Sequence, residues 1–505
     1  MHKNQIKYGS IISYATIGIN ILLGLIYTPW ILHEVGSSNY GLYTLASSLI
    51  ALFLMDFGMG AAVTRFVSNY RARNDQESIN SFVGLTVKFY VGICAVIAII
   101  LTAVFFNLEL IYSNLSIEEL STFRIVFIIT AFFVVFCFPG NVFSGILNAY
   151  EQYIAVKLAD VFNKIVTVVV TIIVLIFHGG IYELVFINGF FNLVTMVVKF
   201  ILVNRKTPVR ADYKSKHKGA LKDIFSFSAW TTVQTLSNQM IFNLIPTVLA
   251  IVADTFAISL YGFANVIEGY VFNITQAING LFLPSVSRTV VDERDAEKTL
   301  PLMIQVGRLN QSIISLLLIG LVVLGREFVQ LWVGDEFSSL YYCILALVFP
   351  YFISASQQIA NTSIIVLNKV KYHALINLFT AVINIVASYF VAQKFGVIGV
   401  CCTTGIVFLI RIVALNIVYK NVLKIDIRAF FKECQIKMLP GICLSAILAF
   451  AMVVLFTKVF NHGGWLFFGI KVICISITYF VVMWLVTWND YEKGLLKSFA
   501  GKLIK

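Results

Sequence analysis

FVGLTVKFYVGICAVIAIILTAVFF, residues 82–106, runs for 25 positions with a single charge, Lys88. A helix needs about 20 predominantly apolar residues to cross a bilayer, so this stretch is long enough to do so alone. Its continuous hydrophobicity reads as a helix, because barrel strands would alternate in short segments. Working outward, comparable runs fall at about 10–32, 41–64, 122–148, 156–177, 181–203, 223–250, 256–283, 303–325, 340–367, 372–393, 397–419, 438–459 and 464–488. With 82–106 they make fourteen. Composition agrees: of 505 residues, 59% are hydrophobic and only 12% charged, against about 25% charged in a soluble protein. A soluble enzyme, a disordered chain and a secreted disulfide scaffold are excluded. The fold class expected is an all-α polytopic membrane protein with 14 transmembrane helices.

Charge sets the orientation. The termini and alternate loops with their flanking turns hold 29 Lys and Arg, and the opposite side holds four (Arg124, Arg326, Lys394 and Lys458). Cationic loops stay in the cytoplasm, so both termini are read as cytoplasmic. The net charge of +12 has the same origin and calls for no nucleic acid. The densest segment, Arg205 to Lys222, is read as a linker and topology determinant. The first run is too long for a cleavable signal peptide and lacks a small-x-small site. Seven of the eight cysteines (Cys94, Cys137, Cys343, Cys401, Cys402, Cys443 and Cys474) lie in apolar runs, and Cys434 sits in a basic loop. None has metal-ligand spacing, and small packing residues are expected.

The halves repeat. Pro29 matches Pro246, Tyr40-Gly41-Leu42-Tyr43 matches Ser259-Leu260-Tyr261-Gly262, and Arg65 matches Arg288. Lys88 matches Arg308, and Leu147-Asn148 matches Leu367-Asn368, mostly at offsets of 217 to 223 residues. Pro139 and Pro350 interrupt spans 4 and 10 at a shorter offset of 211. Six spans per half is an even number, so both halves start on the same side. Two six-helix lobes should then be related by a pseudo-two-fold along the membrane normal. The division expected is 1–220 for helices 1–6 with the basic linker, 221–425 for helices 7–12, and 426–505 for two extra helices and the tail.

Three stretches are similar to a known signature: Gly36-Ser37-Ser38-Asn39-Tyr40-Gly41-Leu42-Tyr43, then Asp56-Phe57-Gly58-Met59-Gly60, then Ala62-Val63-Thr64-Arg65. They resemble the N-terminal pattern of oligosaccharide flippases. These are the Wzx-type polysaccharide biosynthesis proteins of the multidrug/oligosaccharidyl-lipid/polysaccharide (MOP) exporter superfamily. Val35-Gly36 replaces that family's Leu-Gly. The resemblance implies a MATE-like pair of lobes. It also implies export of an undecaprenyl-diphosphate-linked oligosaccharide across the bacterial inner membrane, for O-antigen, capsule or exopolysaccharide. A polysaccharide polymerase and chain-length machinery are the partners it suggests; because one chain supplies both lobes, a monomer is expected, and no cofactor is.

A lipid-linked diphosphate is anionic and needs a polar, cationic path. Ionisable residues inside spans are costly and default to functional candidates. The substrate-binding candidates are Arg65, Lys88, Lys164, Glu268, Arg308 and Arg411. Asp56, Asp160 and Glu268 are candidates for a coupling ion or a charge pair. Asp160 and Lys164 stand four apart on one helix face and can satisfy each other. Lys88 and Arg308, at matching points of the repeat, are read as the entry for the headgroup, although either could only snorkel to the interface. Lys199 and Lys471 are also intramembrane, the latter outside the repeat. No P-loop, dinucleotide fingerprint, His-Glu-x-x-His or nucleophile elbow occurs, so energy is expected from an ion gradient, the membrane potential or product consumption.

Two transporters of the same superfamily compete with this reading. A multidrug antiporter would typically have twelve spans and an acidic cleft. A lipid II flippase shares the fourteen spans and the cationic cleft. A membrane glycosyltransferase or polymerase would need a large loop outside the membrane, and the longest external loop, about Asn107 to Ser121, has roughly 15 residues. No enzyme is expected.

Overall fold

The computed structural model describes residues 2–55, 59–213, 220–293, 299–367, 369–459 and 464–503. Among them the chain is helical nearly throughout and contains no strand. Lipid imposes this outcome, because a helix satisfies its backbone N–H and C=O groups without water. Eleven described helices are long and apolar enough to cross a membrane. The protein is a multi-pass all-α membrane protein.

Fourteen runs and eleven helices differ at three places, each for a physical reason. The second run is divided into Ser37–Phe53 and Met59–Ala72, and its 17- and 14-residue pieces are each short for a crossing. The Thr255–Glu293 helix has the length but carries Asn265, Glu268, Asn273, Gln276 and Asn279 along its middle. Val370–Val422 is one continuous segment of 53 residues, about 80 Å at 1.5 Å per residue. That is far longer than the roughly 30 Å hydrocarbon core. Gly396, at φ 57 and ψ −150, breaks it into two helices, a left-handed conformation that glycine adopts without a Cβ clash.

By packing, the chain forms two compact units. The first is Met1–Gly262 with Asn377–Val400, and the second is Phe263–Ile376 with Cys401–Lys505. In the first, the Ile117–Cys137 helix packs on Gln76–Phe106 and on Ile181–Lys206, while Met59–Ala72 lies along Asn141–Ala149. Pro139 sits in a single 3-10 turn, Phe138–Gly140, between two helices of that bundle. In the second, the Leu300–Val333 helix is central. Met303, Val306, Ile359, Tyr419 and Phe430 form the core at one end. Ile319, Leu324, Met438, Ile442 and Tyr479 form another along its length. The last two long helices, Leu439–Val459 and Trp465–Val482, pack on the same Leu300–Val333 helix.

The signature stretch builds a close crossing inside the first unit. A Cβ on Gly41 would come 2.2 Å from the Thr255 carbonyl oxygen, and one on Gly262 would come 2.7 Å from Thr44 Oγ1. Small residues let two helix backbones approach this closely in lipid. Polar groups tie the same place. Ser259 Oγ donates to the Ser37 carbonyl at 2.5 Å, and Ser38 and Thr255 hydroxyls donate to Glu119 Oε1 at 2.8 and 2.6 Å. Glu119 also closes a capping box with Ser116 at the start of its helix.

Candidate functional site

Five of the candidate charges are now placed by their partners. Asp56 lies outside the described residues. Arg65 is exposed on the Met59–Ala72 helix. Lys88 reaches the chain that leads into the basic linker: its Nζ donates to the Tyr213 carbonyl. That chain is held alongside by Asp212 N to Asn80 O at 3.0 Å and Arg210 N to Asn80 Oδ1 at 2.9 Å. Lys88 also lines an apolar groove of about 650 Å³ with Phe53, Phe89 and Ile93. Asp160 pairs with Lys199 at 2.8 Å. Lys164, one turn away on the same helix, is exposed. The i,i+4 pairing is therefore taken instead by a partner on the neighbouring helix.

Arg308 is buried at the start of the Leu300–Val333 helix. It holds Glu492 through two nitrogens, at 2.5 and 3.0 Å, and donates to the Thr487 and Glu433 carbonyls at 2.9 and 3.0 Å. Only 6% of the Arg308 side chain and 3% of the Glu492 side chain are exposed. The matching repeat positions thus have different surroundings, a linker carbonyl for Lys88 and a buried carboxylate for Arg308. Lys471 is likewise matched, with both oxygens of Glu327 at 2.8 Å.

Glu268 and Arg411 are brought together. Glu268 is only 5% exposed and accepts a hydrogen bond from the Tyr351 hydroxyl. Arg411 lies over the Phe408 ring, 3.7 Å from its centroid, and Phe408 packs against Tyr351 at 6.0 Å between centroids. The guanidinium is close enough to interact electrostatically with Glu268, Tyr351, Tyr419 and His373. Around this group, Tyr419 donates to Asn361, and Gln357 donates to Asn416 at 2.9 Å. Five helical segments contribute, and the polar Thr255–Glu293 helix supplies the acid. An isolated charge here would be very costly. An acid hydrogen-bonded by one phenol, with a guanidinium in electrostatic reach, can remain in apolar surroundings.

Pairwise, the cluster offers a guanidinium that binds carboxylates and phosphates and aromatic rings that lie flat against sugars or cations. Among the described residues, no group of three or more His, Cys, Asp or Glu is placed to hold a metal. The sequence reading found Glu268 and Arg411 but not Tyr351, Phe408, His373 or Tyr419. Tyr351 had one local signal, the Pro350 that interrupts its span. His373 had a signal that was passed over, an ionisable side chain at the start of the run 372–393, whereas Phe408 and Tyr419 are aromatic residues of an apolar run with nothing to single them out.

Comparisons with known proteins agree with the fold. Residues 6–291 match the sequence model of a family described as "Polysaccharide biosynthesis protein". A Shigella flexneri protein described as "Putative O-antigen transporter" is 22% identical over 381 residues, which cover 74% of this chain and 87% of that protein. Among solved structures, the lipid II flippase MurJ in an inward closed conformation superposes with a TM-score of 0.70 at 15% identity, covering 98% of this chain and 99% of its own. An inward-facing MATE family multidrug transporter of the MOP superfamily reaches 0.66 at 15% identity, covering 82% and 99%. These relatives are transporters and flippases, not enzymes.

Proposed function

The chain belongs to the polysaccharide biosynthesis protein family, and on that premise we propose that it moves an undecaprenyl-diphosphate-linked oligosaccharide repeat unit across the bacterial inner membrane. The product would feed O-antigen, capsule or exopolysaccharide synthesis. The observation that carries this reading is the buried Glu268–Tyr351 pair with the half-buried Arg411 beside it and its aromatic surroundings. A headgroup made of sugar and diphosphate needs ring faces and a guanidinium at a depth where water is absent. The prenyl tail needs neither and stays in lipid. Both termini are cytoplasmic in this proposal, following the positive charge of alternate loops. Two six-helix halves alternate access, driven by an ion gradient, the membrane potential or consumption of the product. Lys88, exposed beside an apolar groove, remains the candidate for first contact with the diphosphate. Arg308 serves as a tie to the C-terminal segment.

The test is complementation of a strain deleted for this gene. Glu268→Gln and Arg411→Gln should each reduce surface glycan at least tenfold, about 1.4 kcal/mol or more, while the protein reaches the membrane at wild-type abundance. Arg411→Lys should retain part of the export. Normal glycan from both neutral variants would refute the reading. The lipid II flippase is the second reading, favoured by superposition over 98% of the chain. It would be adopted if this protein sustained growth of cells depleted of their own lipid II flippase and failed to restore glycan.

A further inference from the structure

One groove outside the Glu268 cluster combines a charged mouth with an apolar wall. Lys420 and Lys424, at the end of the Val370–Val422 segment, and Arg428, on the helix that follows, line a groove of about 750 Å³. All three are exposed. The one carboxylate in the lining, Asp426, is already engaged: its Oδ1 accepts the Ala429 N–H at 3.0 Å and caps that helix. The carbonyls at the end of the long helix have a cation of their own, because Lys369 Nζ donates to Val422 O at 3.0 Å. Lys424 stands at φ 55, a left-handed conformation that a lysine adopts at a cost and a glycine would not resist.

The apolar wall continues away from the charges. Val413 and Ile417 line the groove, and with Ile406 and Ile410 they form an exposed strip at spacings of four, three and four residues. That spacing keeps them on one helix face. From Ile406 to Ile417 the strip rises about 17 Å, close to half of the roughly 30 Å hydrocarbon core. Three cations therefore sit at the interface end of a strip as long as one leaflet.

We propose that this groove holds an anionic phospholipid of the surrounding leaflet, its phosphate among Lys420, Lys424 and Arg428 and an acyl chain along Val413 and Ile417. A free phosphate would use the charges and leave the wall without a partner, and a zwitterionic lipid would use the wall and gain little from the charges. The proposal does not depend on which cargo the protein moves.

The full-length protein, purified in a neutral detergent, is melted with phosphatidylglycerol, phosphatidylcholine, inorganic phosphate or undecaprenyl phosphate, and bound lipid is counted by native mass spectrometry. Phosphatidylglycerol should raise the melting temperature by several degrees and remain as an adduct, and phosphatidylcholine and phosphate should do neither. The triple variant Lys420→Gln, Lys424→Gln, Arg428→Gln should lose that difference. Equal effects of phosphatidylcholine, an effect of phosphate alone, or a wild-type response in the triple variant would overturn the proposal. Displacement of phosphatidylglycerol by equimolar undecaprenyl phosphate would also overturn it, because the occupant would then be a prenyl lipid. Should the triple variant fail to fold, Lys424→Gly relieves its own backbone while removing one charge. It should melt at or above wild type without lipid and show a smaller phosphatidylglycerol shift, and an undiminished shift would count against the groove.

Discussion

Arg308 and Arg411 both lie in the second unit, both inside apolar runs, and their surroundings could hardly differ more. Arg308 meets a full carboxylate and two backbone carbonyls, with both partners of the ion pair nearly sealed from solvent. Arg411 lies on an aromatic face, and the carboxylate near it, Glu268, is hydrogen-bonded by a tyrosine. The first arrangement has one geometry and ties three chain segments together: the start of Leu300–Val333, the stretch around Glu433, and the C-terminal segment. The second is made of groups that can exchange partners, phenol for phosphate or ring for sugar. A buried charge in a membrane protein therefore divides by how completely it is neutralised, and only the second kind suits a cargo that must bind and leave.

The largest effect expected from this contrast is on abundance. Arg308→Ala leaves Glu492 buried without its cation, which costs about 3–5 kcal/mol when one member of a buried pair is removed. The protein should then be scarce in membranes, by immunoblot, with glycan falling only in proportion. Arg308→Met combined with Glu492→Leu removes both charges and should recover most of the abundance and the export. Failure of the double variant to export at recovered abundance would move Arg308 from the structural group to the functional one.

A smaller effect is expected in the cluster. Tyr351→Phe deletes one hydroxyl and leaves Glu268 short of a hydrogen bond, a loss of about 1–3 kcal/mol for a buried group. Packing of the ring on Phe408 is kept. Export per molecule should fall several-fold at near-normal abundance, the reverse of the Arg308→Ala pattern. If abundance falls and export per molecule is unchanged, the hydroxyl serves the fold alone.

The helices were legible in the sequence because lipid imposes a local rule: about 20 apolar residues make a crossing whatever else they touch. The break at Gly396 falls between two expected spans. The division of the second run had one local signal, Asp56 with Gly58 and Gly60, set in a stretch otherwise apolar enough to read as a single span. The close crossing at Gly41 and Gly262 gave a resemblance between two short stretches but no hint that Gly41 meets Thr255. Partners of charges were the least legible. Glu492 is 184 residues from Arg308, and Tyr351 is 83 from Glu268, so no spacing rule connects them. Candidates could be named from their cost in lipid, whereas the division between tie and binding group depends on contacts that only folding creates.

Asp160 and Lys199 supply the smallest effect and the clearest check on spacing as a guide. Asp160 has Lys164 one turn along its own helix, yet it pairs at 2.8 Å with Lys199 of Ile181–Lys206, the helix packed against its own. With 41% of the Asp160 side chain and 14% of the Lys199 side chain exposed, the pair is partly open, and open pairs contribute about 0–1 kcal/mol. Asp160→Asn should therefore lower the melting temperature by no more than a few degrees and leave surface glycan within about twofold of wild type. Lys199→Gln should match it, and the double variant should be no worse than either single change, because each single change already breaks the pair. Lys164→Gln should not alter the effect of Asp160→Asn. A non-additive response between Asp160 and Lys164 would restore the same-helix pair. A loss of glycan in Asp160→Asn at normal abundance would place this carboxylate beside Glu268 among the groups proposed to meet the cargo or its coupling ion.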